Sequence, residues 1–351
     1  MTANDSQHHD SPIMLAGLFP SEIASATGQP GFRGRQIFKW LHQKREFRVD
    51  AMTDLGKELR REMGERCRTV QLRPLDVVES RKSGTKKILF ELADANTVEA
   101  VLMRHPRHVT LCLSTQIGCP VGCPFCATGR SGFVRNLTAG EIVEQALHLL
   151  YDEGLSGKTP NIVYMGMGEP FLNYEALLRS IRLFMCAEGM GIGARKMTVS
   201  TAGEARGIER FAKEKLQVRL SVSLHAANDR LRSELVPLNR KYNLAGLHDA
   251  LSKYVDTTRR RITIEWILLG GVNDAPGQAA ELVRWLGELR DDASVNLIPF
   301  NAVDGAGYES PPAGRCKIFL ETLTKQGVKA TIRRERGGDI EAACGQLRRR
   351  R

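Results

Sequence analysis

No stretch of this chain approaches the ~20 consecutive apolar residues that a helix needs to cross a bilayer, so a membrane span is excluded. Cysteine is scarce: 8 in 351 residues is too few for a disulfide scaffold. The first ten residues are polar and lack the basic start and long apolar run of a secretory signal, so a cytoplasmic protein is expected. There is no internal repeat and no low-complexity tract apart from Arg348–Arg351. Charge of a single sign is missing too. With 51 Lys and Arg, 40 Asp and Glu and 42% apolar residues, the chain is not disordered. What remains is a net charge of +11 on a chain long enough for one large domain and an accessory unit. A basic globular protein of this size meets a polyanion, nucleic acid first; a merely solvated basic surface is the alternative.

The hydrophobic period divides the chain. From about Ile13 to Cys67 it is helical: Phe32, Ile37, Phe38, Trp40 and Leu41 recur at helical spacing, interleaved with Arg33, Arg35, Lys39, Lys44 and Arg45. A second helix is expected through Leu55, Leu59 and Met63. From Val70 to about Gln116 the period is two, with strands over 87–92, 98–103 and 109–114, the first two forming a hairpin around Asp94-Ala-Asn96. Strand and helix then alternate. Strands are expected over 161–165, 196–201, 217–224, 261–268, 294–299 and 328–333. The intervening helices begin with one opened by the capping box Thr138-Ala-Gly-Glu141 and ending near Gly154. Six βα units imply an α/β fold, a partial (β/α)6 barrel of parallel strands with a small N-terminal helical unit and a short β extension. The expected division is a disordered tail over 1–12, the helical unit over 13–68, the β linker over 69–104, the barrel over 105–335 and a C-terminal segment over 336–351. Function should sit at the C-terminal ends of the barrel strands.

The sharpest motif stands at such an end: Cys119-Pro-Val-Gly-Cys123-Pro-Phe-Cys126. Three thiolates from one tight loop can hold three irons of a four-iron cluster and leave the fourth iron open. Zinc is the rival, but it takes four ligands and no second pair accompanies this run; buried structural cysteines are the other alternative. One strand later comes Met165-Gly-Met-Gly168-Glu169-Pro170, where glycine lets a ligand approach the backbone and Glu169 can accept from an ammonium or ribose; a plain turn is the alternative. Ser200, Ser223-Leu224-His225 and Asn301 follow apolar runs at further strand ends. Singly each reads as a cap or turn residue, and together they read as a ligand-binding ring. The pair His8-His9 in the tail carries nothing by itself, and Cys67, Cys186 and Cys316 read as packing residues.

The cysteine run, with aromatic Phe125 between its last two thiols, resembles the radical S-adenosylmethionine superfamily. More closely, the runs Phe125-Cys-Ala-Thr-Gly129, Arg135-Asn-Leu-Thr138, Met165-Gly-Met-Gly-Glu169 and Arg336-Gly-Gly-Asp-Ile-Glu-Ala-Ala-Cys344-Gly-Gln-Leu347 resemble the RlmN/Cfr family of RNA methyltransferases, over about residues 13–347. The resemblance implies one [4Fe-4S] cluster on Cys119, Cys123 and Cys126, and S-adenosylmethionine held by Gly168, Glu169, Ser200, Ser223, Leu224, His225 and Asn301, two molecules per turnover. It implies that Cys344 carries the methyl group as S-methylcysteine, that Cys112 resolves the adduct through a transient disulfide, and that Glu99 accepts a proton. The implied substrates are adenines in 23S ribosomal RNA and transfer RNA. Carbon 2 is the implied target; methylation at carbon 8, as in Cfr-type members, and a non-enzymatic RNA-binding protein with a structural metal loop are the alternatives. An electron donor such as flavodoxin or ferredoxin, a monomeric state and RNA binding by the helical unit complete the expectation.

Overall fold

The computed structural model describes residues 12–151, 153, 159–333 and 336–348. The tail with His8 and His9, the helix end near Gly154 and residues 349–351 lie outside the described residues.

Among the described residues, the main sheet has ten strands, and each pairs with its neighbour in sequence. They are β1 (Arg73–Glu79), β2 (Lys86–Glu91), β3 (Thr97–Arg104), β4 (Val109–Cys112), β5 (Asn161–Tyr164), β6 (Met197–Thr201), β7 (Arg219–Ser223), β8 (Ile262–Leu268), β9 (Ala293–Pro299) and β10 (Lys329–Ile332). The pairs β1–β2, β2–β3 and β3–β4 are antiparallel. From β4 to β10 every pair is parallel, the partial barrel that the alternation of strand and helix implies. The linear order leaves β1 and β10 as edges, so the sheet curls without closing. β1 is a strand that the period does not reveal. Most of its residues are exposed, including Leu75 and Val77, and its register shifts between Pro74 and Asp76, so no buried face alternates.

The local chemistry accounts for these elements. Thr138 caps the helix Ala139–Leu150 as expected: its hydroxyl accepts from Glu141 N at 3.2 Å, and Glu141 Oε2 accepts from Thr138 N at 2.7 Å. In the barrel strands, Leu111, Ile162, Tyr164, Met197, Val199, Leu220 and Val222 are buried and alternate with small polar residues. Register then lines up the inward set. Cys112 pairs with Val163, Val163 with Thr198 and Thr198 with Arg219. A second row runs Ser200, Ser221, Thr263, Ser294 and a third Ser223, Glu265, Asn296, Thr331. The barrel interior is therefore mixed, with hydroxyls, thiol and charged groups beside Val163, while the face turned to the helices is apolar.

The helices Pro20–Thr27, Gly31–Lys39 and Lys57–Arg66 form the N-terminal unit. Leu15, Ile23, Phe38, Leu41 and Met63 join the same continuous core as the barrel helices. Arg179 reaches across to Gly17 O at 2.9–3.0 Å. Gly17 faces the helix start so closely that a Cβ there would stand 2.9 Å from Gly140.

Candidate active site

The cysteine loop leaves the barrel after β4 and is folded by glycine. Gly118 has φ +74°, and a Cβ on it would meet Gly132 O at 1.7 Å; Gly122 has φ +72°. The loop is packed in an apolar cluster separate from the main core, built from Val121, Phe125, Ala226, Ile267, Leu269 and Phe300, with Cys119, Cys123 and Cys126 partly buried against it. Burial pushes the Cys119 thiol up to about 12, Glu169 and Cys126 add to this, and backbone donors at Val121 and Gly122 oppose it. Cys123 is raised further by burial and by its two sister cysteines. Among the described residues, no three His, Cys, Asp or Glu side chains gather as ligands of one metal ion. A cluster asks for something different, one thiolate for each of three irons.

The residues expected to hold S-adenosylmethionine lie at strand ends, several in committed roles. Gly168 has φ +105° and faces the Gln116 side chain, which a Cβ would meet at 2.6 Å. Glu169 is buried; its carboxylate accepts from Phe171 N at 3.1 Å and Ala202 N at 2.6 Å, bracing the end of β5 to the end of β6. Burial raises its pKa to about 7 against those hydrogen bonds. Ser200 and Ser223 belong to the inward rows. Leu224 is fully buried; its N–H donates to Glu265 O at 3.0 Å and its carbonyl accepts from Ala226 N and Arg232. His225 has φ +62°, stands edge-on to Phe125 at 5.2 Å and accepts from Ile267 N at Nδ1, 3.0 Å. Burial, with Arg232 nearby, lowers it to about 3, so its ring is neutral. Asn301 donates to Cys344 O at 3.3 Å.

Cys112 and Cys344 line one cavity of about 730 Å³, together with Cys126 and Asn301. Burial pushes Cys112 up to about 12, with the Cys344 thiol adding to the effect. Cys344 is open to the cavity yet surrounded by protein, and this burial raises its pKa as well, with Arg333 opposing. The segment carrying Cys344 is tied on three sides. Ala127 N donates to Gly345 O at 2.8 Å and Thr128 Oγ1 to Leu347 O at 2.5 Å, both from the stretch just after Cys126. Gln346 donates to Ala302 O at 2.9 Å. On the third side stands a buried ion pair, Lys87 on β2 with Glu99 on β3, at 3.2 Å. Lys87 Nζ also donates to Glu341 O at 3.0 Å, and Glu99 Oε2 accepts from Arg348 N at 2.9 Å. Glu99 is fully buried in this role. Cys67 and Cys316 are buried in the main core and Cys186 packs against it, as expected of packing residues.

The superfamily model "Radical SAM superfamily" matches residues 113–283, and "Ribosomal RNA large subunit methyltransferase N-terminal domain" matches residues 21–69. A Heliobacterium modesticaldum protein named "Probable dual-specificity RNA methyltransferase RlmN" is 48% identical over 97% of this chain and 91% of its own length. A Halorhodospira halophila protein named "Dual-specificity RNA methyltransferase RlmN" is 44% identical over 97% and 95%. The chain belongs to the RlmN/Cfr family. Among solved structures, a radical SAM methyltransferase from Sphaerobacter thermophilus is 46% identical, superposes with a TM-score of 0.92 and covers 96% of this chain and 99% of its own. Membership makes the chain a radical SAM enzyme that works with a [4Fe-4S] cluster and S-adenosylmethionine on RNA. The thiol loop fits the cluster: Cys119 and Cys123, held high by burial and by the charges around them, become thiolates only beside a strong positive charge, which iron supplies.

The structure also brings to the site residues that spacing did not single out. Arg232 is fully buried and bonds Ala202 O at 2.7 Å, Leu224 O at 3.2 Å and Asn239 at 2.8 Å, gathering the ends of β6 and β7 beneath the cysteine loop. Burial lowers it to about 10, with the Cys123 charge opposing. Arg333 stands 3.6 Å from the buried Glu265 and lines the cavity with the two thiols. Lys87 is the third such residue. Each stands among other charges in a helix, strand or strand end, with nothing in the sequence to set it apart from them. No helix among the described residues is long and apolar enough to cross a membrane.

Proposed function

We propose that this chain methylates carbon 2 of an adenine in 23S ribosomal RNA and in transfer RNA, with Cys344 as methyl carrier and Cys112 as resolving thiol. The observation that carries this reading is the presence of both thiols on one cavity wall beside Cys126. Support for two RNA classes comes from relatives named dual-specificity RNA methyltransferases. The amidine carbon of adenine is a poor nucleophile, so direct transfer from a sulfonium fails there and a carrier is needed. When bound, the cluster and S-adenosylmethionine, two molecules per turnover, supply the methyl group and a 5′-deoxyadenosyl radical.

The chain's own residues do the rest. Cys344 sulfur takes the methyl group and becomes a thioether. After one hydrogen atom is lost, that carbon adds to adenine and tethers the RNA to Cys344. The radical adduct gives up one electron, which the cluster would take back when bound in its oxidised state, and Glu99 takes the ring proton, which requires Glu99 to release Arg348 N. Cys112 thiolate then attacks Cys344 sulfur. The carbon–sulfur bond breaks, its electron pair stays with the carbon, which gains a proton, and the two cysteines are left as a disulfide. An external thiol reductant reopens it. Gly168, Glu169, Ser200, Ser223, Leu224, His225 and Asn301 bind S-adenosylmethionine in this reading. An acidic donor such as flavodoxin or ferredoxin supplies electrons to a cytoplasmic monomer. Nucleoside mass spectrometry of reacted RNA tests the proposal: 2-methyladenosine is expected, and 8-methyladenosine or unmodified RNA refutes it.

Two further expectations belong to this reading. Cys123→Ala removes one of three iron ligands, so anaerobically reconstituted protein loses its brown absorbance and its activity, while wild-type protein carries about four irons per chain. Iron content checks this, and full iron with full activity in the variant refutes it. Arg35, Lys39 and Lys44 are exposed on the N-terminal unit and serve as RNA phosphate contacts, as does the wider basic face with Arg33 and Arg45. Arg35→Glu, Lys39→Glu and Lys44→Glu together should weaken RNA binding and flatten its dependence on log salt by about 2.1–2.7, since each phosphate contact contributes ~0.7–0.9. Filter binding across a salt series measures both.

A further inference from the structure

The cavity that holds the two thiols has a second end. Among the described residues of its wall there is no Asp or Glu, while arginine, lysine and histidine recur. Arg195 and Lys196 stand just before β6, Arg219 opens β7, and His105 and His108 form the turn between β3 and β4. Arg336 joins them by donating to Arg104 O at 3.0 Å. All six mark the N-terminal end of the parallel strands, opposite the cysteine loop. The two histidine rings stack at 4.4 Å, and His105 is held below its usual pKa by burial, then by Arg336, His108 and Arg333. His105 therefore feels the positive charge of Arg336 and Arg333.

Several exposed arginines of this chain are held by carboxylates, Arg61 with Glu58 and Glu65, Arg210 with Glu175 and Arg182 with Glu214. Among the described residues, Arg195 and Arg219 have neither an ion pair nor a side-chain hydrogen bond. Lys196 bonds only the Thr159 hydroxyl and carbonyl, at 2.5 and 3.2 Å. Arg219 is also connected to the chemistry by register. It shares a row with Thr198, Val163 and Cys112 across four adjacent strands, so its Cα lies roughly 14 Å from that of Cys112 at ~4.8 Å per strand. The other end of the barrel is filled by the apolar cluster around Phe125, Ile267 and Phe300. The polar way to the thiols is thus from the cationic end.

We propose that Arg195, Lys196, Arg219 and Arg336, with the His105–His108 pair, form an RNA-phosphate collar through which the target nucleotide enters the barrel. The collar takes the phosphodiesters flanking the adenine, while the base, unstacked from its neighbours, passes up the lumen toward Cys112 and Cys344. A volume of about 730 Å³ is in the range of pockets that bury a small ligand and suits one nucleotide. The assignment rests on the reading of Cys112 and Cys344 as the reacting thiols, and it adds a route and a set of contacts distinct from the N-terminal unit.

The test uses full-length reconstituted protein and an unmodified RNA hairpin with an unpaired loop adenine. Arg195→Glu with Arg219→Glu should lower affinity at least tenfold. It should also flatten the salt dependence by about 1.5, for two contacts of ~0.7–0.9 each. Arg195→Lys with Arg219→Lys should restore most of both, which separates loss of charge from misfolding. Unchanged affinity and salt slope in a folded Glu pair overturn the collar. So does unchanged RNA affinity with slower reduction by flavodoxin, which would make the surface a docking site for an acidic donor. Binding is read without turnover, so the two proposals fail separately. A wild-type protein that yields no 2-methyladenosine while the Glu pair still loses RNA affinity removes the methylation chemistry and keeps the collar.

Discussion

Cys112→Ala should leave the protein covalently joined to its RNA. Cys344 keeps its sulfur, its tie to Asn301 and its place on the cavity wall, so the carrier can still be methylated and can still add to adenine. What is lost is the nucleophile that breaks the carbon–sulfur bond. No other cysteine substitutes without cost: Cys126 also lines the cavity, but it belongs to the loop that holds iron. Cys67 and Cys316 are buried in the main core, and Cys186 packs against that core. Cys344→Ala should fail earlier and differently, with no carrier, no adduct and an intact iron chromophore. The effect is close to all-or-none in each case, because each change deletes the atom that forms or breaks the bond. A denaturing gel with end-labelled RNA reads it directly. The shifted band is expected from Cys112→Ala alone. A shifted band from Cys344→Ala, or normal turnover by Cys112→Ala, would reverse or remove the two roles.

What could be read beforehand follows from how far each signal travels along the chain. The thiol triad is a local pattern: three ligands within eight residues need only one turn of loop to converge, and the Thr138–Glu141 capping box is local in the same way. The alternation in β5, β6 and β7 was legible because one face packs on helices, whereas β1 presents no buried face and left no period. The site beyond the loop depends on register between distant strands. Arg219 reaches the Cys112 row only through β5 and β6, and Lys87 meets Glu341 across 254 positions. A lone arginine opening a strand looks like any solvated charge until its neighbours across the sheet are known. Glu169 and Leu224 show the converse. Their positions were marked by motif, but the contacts of their side chains, bracing two strand ends and filling the core, depend on neighbours that the motif does not show.

Lys87→Met should release the segment that carries Cys344. Lys87 and Glu99 are both almost wholly buried, and between them they hold the two ends of that segment, Glu341 O and Arg348 N. Removing the ammonium leaves Glu99 buried opposite an apolar side chain, which costs about 3–5 kcal/mol when the charge stays unpaired. Stability alone would not show what the pair is for. Replacing both partners by apolar residues of similar size is often close to neutral, because neither charge is then stranded. Lys87→Met with Glu99→Met should therefore recover most of the stability lost by the single change. It cannot recover the donor to Glu341 O or the acceptor for Arg348 N. The double variant should melt near the wild-type temperature yet exchange its 341–348 amides rapidly; exchange is the readout of positioning, because the change also removes the proton acceptor Glu99. Lys87→Arg should retain protection, since a guanidinium can still bridge a carboxylate and a carbonyl. Calorimetry and hydrogen exchange on the same proteins separate the effects. A double variant with wild-type stability and wild-type protection at 341–348 would show that the ion pair does not position Cys344.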